Sequence, residues 1–312
     1  MYGYGYQYSA IINGGGGNPA AAIFGTYKTR VLADGGVVEN DACTIAFLES
    51  IGAGTDIIPS FSFLLDDYSG AAAAYSLRQL SSSYSGDAIR VRRASDNAEL
   101  NIGFVANELN TSALTTFASG TDAFVTTWYD QSGSGYNAVQ TTATKQPKIV
   151  SSGSVLTLNS KPCISPNGTS DNLTFTTISS TTHYISVVGG ETTKGRFLSA
   201  SDAYASFIES GIINNRIRIG GVYNLSSRIL QTQKILTWSR VTTDSNVYQN
   251  SVLNTNNTVS TSALDLGQLF QNSNDVTTSS DGKFQEIIIY TSNQNANRTG
   301  IEANTNTYYE VY

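Results

Sequence analysis

The sequence predicts a mainly β protein: an antiparallel β-sandwich with short helices and an extended N-terminal arm. Three observations carry this. Charged residues make up 13% of the 312-residue chain, about half the roughly 25% usual in soluble domains. Neutral polar and turn-forming residues, including 28 Gly and 18 Tyr, fill the gap. They suit the solvent face of strands and the turns between them, and not the Lys- and Glu-rich exposed faces of a helical bundle. Finally, short segments of alternating polarity follow one another with little helix between them, as in an antiparallel sandwich or barrel.

Taken in order, residues 1–22 read as a Gly/Tyr-rich arm. Gly-rich chain is costly to order and offers little to bury, but Tyr2, Tyr4, Tyr6 and Tyr8 would share one face of an extended arm and suit contact with a neighbouring subunit. Residues 23–63 read as a small anchor or connecting unit, with strand character at 23–27, a turn at 33–36, and a short helix from Ala42 to Ile51 capped by Asn40 or Asp41. Cys43 sits in that helix as a small apolar residue. Residues 64–312 read as the sandwich. Within it 71–80 (AAAAYSLRQL) is the clearest helical run. Strands follow at 88–93, 123–129, 155–158, 184–188, 205–210, 216–219, 235–241, 246–250 and 284–290. A terminal helix is expected in 295–312, where Ile301, Asn304 and Tyr308 recur at helical spacing.

Several function classes fall away. No apolar run approaches the ~18 residues of a membrane span, and the opening residues lack the basic and apolar regions of a secretion signal. A net charge of −6 gives no electrostatic reason to bind nucleic acid. Two cysteines and one histidine make a zinc site unexpected. Asp66–Asp67 and Asp171–Asn172 offer oxygen ligands for calcium, but no loop has EF-hand spacing, so no cofactor is expected. His183 is expected at the surface or at a strand edge. Arg90, Arg92 and Arg93 form the densest basic cluster and are expected to pair with Asp87 or Asp96.

One ordered set of segments points further: 74–80 (AYSLRQL), 84–86 (YSG), 89–96 (IRVRRASD), 102–104 (IGF), 124–135 (FVTTWYDQSGSG), Gln140 and Gln146–Pro147, closing with 284–290 (FQEIIIY) and 301–309 (IEANTNTYY). This set resembles the concanavalin-like jelly-roll sandwich of the arabinofuranosidase-B-type catalytic domain, and related domains in structural proteins of phages infecting Bacteroidetes. Separately, 29–39 (TRVLADGGVVE) resembles a segment near the start of phage virion proteins. Read from its residues alone, the stretch Trp128–Gly135 is a strand ending in a turn locked by Asp130, with Gly133 and Gly135 free to adopt positive φ.

Retaining glycosidases use two carboxyl groups about 5 Å apart. The resemblance places the nucleophile at Glu209. It places the partner acid at Gln271, an amide that cannot donate and recover a proton, with Asp275 nearby but out of register. The adjacent-cysteine disulfide of those enzymes has no counterpart here. Catalysis is therefore not favoured, and Glu209 and Asp275 are the residues to suspect if it occurs. Trp128, Tyr129, Asp130, Asn215, Tyr223 and Trp238 are the candidate sugar contacts, each also able to serve packing.

The expectation from sequence is a virion structural protein, such as a head or tail fibre or a capsid decoration protein. It would attach to other virion proteins and sister subunits through its N-terminal region, and would display a lectin-like sandwich that meets a host-surface glycan. The alternative is a glycan-binding module or an arabinofuranosidase-like glycoside hydrolase. Shared folds do not fix shared activity.

Overall fold

The structure is a computed structural model. It describes residues 62–190, 195–200, 206–210, 215–218, 222–224, 232–258, 262–272 and 275–312. The chain divides into two units, Met1–Ser62 and Phe63–Tyr312. The expected arm, the anchor unit with its helix at 42–51, and the 29–39 segment lie outside the described residues.

The second unit is built from antiparallel sheets, as the sequence predicts. One has six strands in the order Ala73–Ser76, Lys283–Tyr290, Thr182–Gly190, Lys234–Val241, Asp244–Gln249 and Val252–Thr258. The other has twelve. Its main path runs from Val222–Asn224 through Asn215–Arg218, Ser206–Ser210, Gly195–Ala200, Leu264–Leu269 and Leu173–Ser180, then through Ala138–Val139, Ala123–Trp128 and Ile89–Arg93 to Glu99–Ile102. Both sheets feed one core: Tyr75, Ile185, Val187, Trp238 and Ile287 from the first meet Val91, Val125, Trp128, Leu173 and Leu269 from the second. This is the sandwich layering in which each inner face buries against the other.

The six-stranded sheet is buried on its outer face too. Ala74, Tyr184, Ile288 and Tyr290 pack with Ile301 of the terminal helix, Arg298–Tyr309, and with Leu64 and Leu65 of the short helix Leu64–Asp67. That explains the continuous apolar run at Ile287–Ile289, since a strand covered on both faces needs no alternation. A buried ion pair fixes the helix to the sheet. Arg78 Nε and Nη2 donate to Glu286 at 2.7 and 3.1 Å, and Nη1 donates to Asn304 Oδ1 at 2.9 Å.

Two sequence expectations are corrected. Residues 71–80 do not form a helix; Ala73–Ser76 is an edge strand, every residue of it buried, paired with Ser76 opposite Glu286 and Ala73 opposite Ile289. Alanine's helix propensity is worth only tenths of a kcal/mol per residue, and burial between a sheet, a core and a helix overrides it. His183 is neither at the surface nor at a sheet edge. It lies in the interior strand Thr182–Gly190, 2% exposed, with its ring edge-on to Trp238 at 4.3 Å between centroids. As Ile185 and Val187 are core residues, His183 shares their face by the two-residue strand period. The terminal helix, by contrast, forms as its spacing predicts.

The basic cluster pairs in part as expected. Arg93 bridges Asp96 at 2.7 Å, whereas Arg90 takes Glu99 at 2.6 Å and Arg92 donates to Gln146 Oε1 at 2.7 Å.

Candidate functional site

Glu209 lies on the strand Ser206–Ser210, one strand away from Gly195–Ala200. The register sets it opposite Arg196 on one side and Arg216 on the other. Across Gly195–Ala200 runs Leu264–Leu269, with Leu198 opposite Leu269. At Phe270 the chain turns. Its φ of 71° is left-handed, rare for a bulky residue and costing about 1–3 kcal/mol. Burial of the ring holds it there, 4.7 Å from Phe284 and 6.4 Å from Trp128.

The turn delivers Gln271 back against the strand Gly195–Ala200, where its carbonyl accepts from Ser199 Oγ at 2.5 Å. A two-residue ladder follows, with Gln271 opposite Ser279 and Asn272 opposite Asp275. Glu209 and Gln271 thus flank one strand from its two sides. Asp275 stands across from the residue after Gln271.

The Gln271 side chain, 2% exposed, ends a chain of hydrogen bonds that sequence reasoning did not find. Arg92 Nε donates to Gln146 Oε1 at 2.7 Å, and Gln146 Nε2 to the Gln140 carbonyl at 2.9 Å. Gln140 Nε2 donates to Asn172 Oδ1 at 2.6 Å, and Asn172 Nδ2 to Gln271 Oε1 at 2.7 Å. Two donor-only groups fix the direction of this relay. Arg92 must face an oxygen of Gln146, and the Thr142 N–H must face Gln140 Oε1, which it meets at 2.9 Å. The amide at the far end is therefore oriented: Gln271 Oε1 is engaged, and Gln271 Nε2 is buried with no acceptor among the described residues. From the Gln140 side-chain amide, held by the Thr142 N–H, through Asn172 to Gln271, each amide that accepts a bond becomes a better donor. Asp171 adjoins the relay. It is buried, accepts from the Asn167 N–H at 2.9 Å, and desolvation pushes its carboxyl up to about 7.

The Trp128–Gly135 segment is locked as its sequence predicts. Asp130 Oδ1 accepts from the amides of Ser132 (2.9 Å) and Ala74 (2.8 Å), while Oδ2 accepts from Ser132 Oγ (2.9 Å) and the Tyr136 amide (3.0 Å). Gly133 and Gly135 have φ of 85° and 80°. Gln131 extends the lock, accepting from the Leu80 amide at 2.8 Å and donating to the carbonyls of Ser76 and Arg78.

A family profile described as "Alpha-L-arabinofuranosidase B, catalytic" matches residues 68–227, just over half of the 312-residue chain. The chain belongs to that family. Its structure is similar to an arabinofuranosidase complexed with arabinofuranosyl-alpha-1,2-xylobiose, at 14% identity and a TM-score of 0.62. It is also similar to a GH54 α-L-arabinofuranosidase soaked with a cyclic sulfate inhibitor, at 15% identity and 0.60. A glutamate-to-glutamine variant of a GH54 α-L-arabinofuranosidase soaked with 4-nitrophenyl α-L-arabinofuranoside gives 13% and 0.59. Each alignment covers 77% of this chain and 63% of the other, so this chain spans less than two thirds of those proteins. At these identities the likeness is one of fold. No curated protein sequence matches the chain.

Within this arabinofuranosidase-B family member, the expected site residues separate into groups. Trp128 and Trp238 are not platforms on a surface; both are fully buried in the core, because each projects from its sheet toward the other. Asp130 is buried, and its carboxylate is engaged in the turn. Tyr129 is half-buried and donates to Asn101 Oδ1 at 3.1 Å. Asn215 pairs in register with Ser210, next to Glu209, while Tyr223 pairs with Ile217 one strand further out. Tyr2, Tyr4, Tyr6 and Tyr8 lie outside the described residues. Asp66, a candidate calcium ligand, accepts from Ser81 Oγ at 2.7 Å and from the Ser82 amide, bonds that pull its carboxyl below the usual range. Among the described residues no group of three or more His, Cys, Asp or Glu side chains is arranged to hold a metal ion.

Proposed function

We propose that this sandwich is a glycan-recognition domain that takes an α-L-arabinofuranosyl end group and holds it without hydrolysing it. Family membership supplies the substrate class, and one observation supports the restriction to binding: Gln271, at the position the resemblance gives to the partner acid, is an amide fixed by Asn172 with its N–H in reserve. An amide N–H donates to a sugar oxygen. It cannot give up and recover a proton, which a general acid/base must do in each half of a retaining reaction. Glu209, in register with Arg196 and Arg216, then serves as a polar contact for sugar hydroxyls.

A second reading, slow hydrolysis with Glu209 as nucleophile and Asp275 as acid, is favoured by the ladder that sets Asp275 opposite Asn272. Incubation with 4-nitrophenyl α-L-arabinofuranoside separates the two. The binding reading expects ligand-observed NMR transfer to the arabinosyl protons with no 4-nitrophenol release above buffer. Release that is abolished by Glu209→Gln selects the hydrolytic reading.

The virion role expected from sequence rests on residues 1–22 and 29–39, the low-charge surface and the likeness of the sandwich to domains of phage structural proteins; the family match supports the arabinofuranosidase-type sandwich, so glycan recognition comes first. Display of that domain on a particle through the tyrosine-bearing arm is a compatible proposal, checked by mass spectrometry of purified particles.

A further inference from the structure

Gln271 stands at the end of a row of side chains that crosses the larger sheet. Register places Gln268 opposite Thr174, Thr174 opposite Val139, Val139 opposite Thr127, Thr127 opposite Arg90, and Arg90 opposite Asn101. In each strand an adjacent residue (Leu269, Leu173, Ala138, Trp128, Val91 or Ile102) belongs to the core, so the row lies on the opposite, outer face. At about 4.8 Å per strand it spans roughly 24 Å. The terminal helix covers the outer face of the six-stranded sheet. Along this row, by contrast, Asn101, Arg90 and Thr174 are exposed, and Thr127 and Val139 are half-buried.

An antiparallel sheet can face water with no further purpose, but three features point this row toward a ligand. Its inner end is joined to the candidate site: Gln268 Nε2 makes a long bond to Gln271 Oε1 at 3.4 Å, and Ser199, opposite Gln268, donates to the Gln271 carbonyl at 2.5 Å. There Gln271 Nε2 is buried with no acceptor among the described residues. Along the row run hydroxyl and amide groups without net charge, since Arg90 is bridged to Glu99 at 2.6 Å. Thr174 Oγ1 donates to the Val139 carbonyl at 3.2 Å and so meets a ligand as an acceptor. At the outer end stands an aromatic ring, Tyr129, whose hydroxyl donates to Asn101 Oδ1 at 3.1 Å, so the Asn101 amide presents its N–H groups as donors. Donors, acceptors and an aromatic ring together suit the hydroxyls and apolar faces of an uncharged sugar chain.

We infer that this row binds the chain behind the arabinofuranosyl end group: a linear, uncharged oligosaccharide running from Gln271 across the outer face of the larger sheet to Asn101. The inference rests on the end-group reading proposed above, and its test separates the two. Calorimetry on the full chain compares 4-nitrophenyl α-L-arabinofuranoside with linear arabinofuranosyl di-, tetra- and octasaccharides. The double variant Arg90→Ala, Asn101→Ala, at two exposed positions of the far end, is run beside it. Affinity is expected to rise about tenfold from disaccharide to octasaccharide. The double variant removes that gain, while the glycoside and the disaccharide bind as before and near-UV circular dichroism is unchanged. Glycoside binding with no gain from chain length, or with a gain that the variant leaves intact, overturns the inference and leaves the end-group reading standing. Octasaccharide binding that the variant weakens, without binding of the glycoside, keeps the row and overturns the end-group reading. Binding of none of these ligands overturns both.

Discussion

Asn172 Nδ2 donates to Gln271 Oε1 at 2.7 Å across 99 residues of sequence, and with a longer bond from Gln268 Nε2 at 3.4 Å it sets which way the Gln271 amide faces. Without it the amide could rotate and satisfy its own donor. In the proposed reading, the relay from Arg92 through Gln146, Gln140 and Asn172 is what would orient Gln271 toward an acceptor oxygen of the ligand.

Replacing Asn172 by Leu removes the two short side-chain bonds it makes, leaving Gln140 Nε2 with its 3.3 Å bond to the residue-172 carbonyl and Gln271 Oε1 with the 3.4 Å bond from Gln268 Nε2. Each buried hydrogen bond lost costs about 1 kcal/mol. Urea unfolding is expected to show a loss of ~2 kcal/mol or more, together with weaker arabinofuranoside binding. Unchanged stability would show that the relay is not formed in solution.

Asp130 is expected to matter for folding. Its carboxylate accepts from three backbone amides and one hydroxyl, and hydrogen bonds to a charged group are worth about 1.5–3 kcal/mol each. Asp130→Ala is expected to cost ~3 kcal/mol or more, visible as a lower denaturation midpoint. A variant with full stability that had lost only glycan binding would assign Asp130 to the ligand instead.

His183 gives a pH signature. Desolvation, with Arg240 adding to it, holds the imidazole at about 3, far below its usual 6.5. The unfolded chain takes up a proton near 6.5 that the folded chain refuses until about 3. Stability present above pH 6.5 is therefore lost as pH falls across that window. His183→Leu removes this dependence, and at about pH 4.5 it is expected to melt later relative to wild type than it does at neutral pH. Parallel pH profiles for the two proteins would contradict the burial of His183.

Asp171 acts in the opposite direction. Its folded value, raised to about 7 from 3.8, means the contribution is fully present below 3.8 and lost as pH rises through about 7. Asp171→Asn keeps an oxygen for the Asn167 amide and removes the charge. Its melting temperature is expected to exceed that of wild type at about pH 8 and to match it at about pH 4.

Much of the fold was legible because its signals are local. The apolar run before Tyr290, the spacing that ends in Arg298–Tyr309, and the Asp130 turn each depend on residues within a short window. The segment around Ala73–Ser76 misleads because the four alanines at 71–74 carry a helical preference that the surrounding sheet overrides. The relay was illegible for a different reason. Gln140, Asn172 and Gln271 are separated by 32 and 99 residues, and only the strand order brings them together. The same holds for His183, whose burial depends on the interior placement of its strand and not on its neighbours in sequence.

The central claim, recognition without turnover, is tested most directly by titrating the full chain with 4-nitrophenyl α-L-arabinofuranoside in a calorimeter and then analysing the recovered ligand. The account predicts saturable binding that Gln271→Leu weakens about tenfold, the loss of roughly one hydrogen bond, with the glycoside recovered intact. Recovery of free arabinose, or binding that is indifferent to Gln271→Leu, would contradict it.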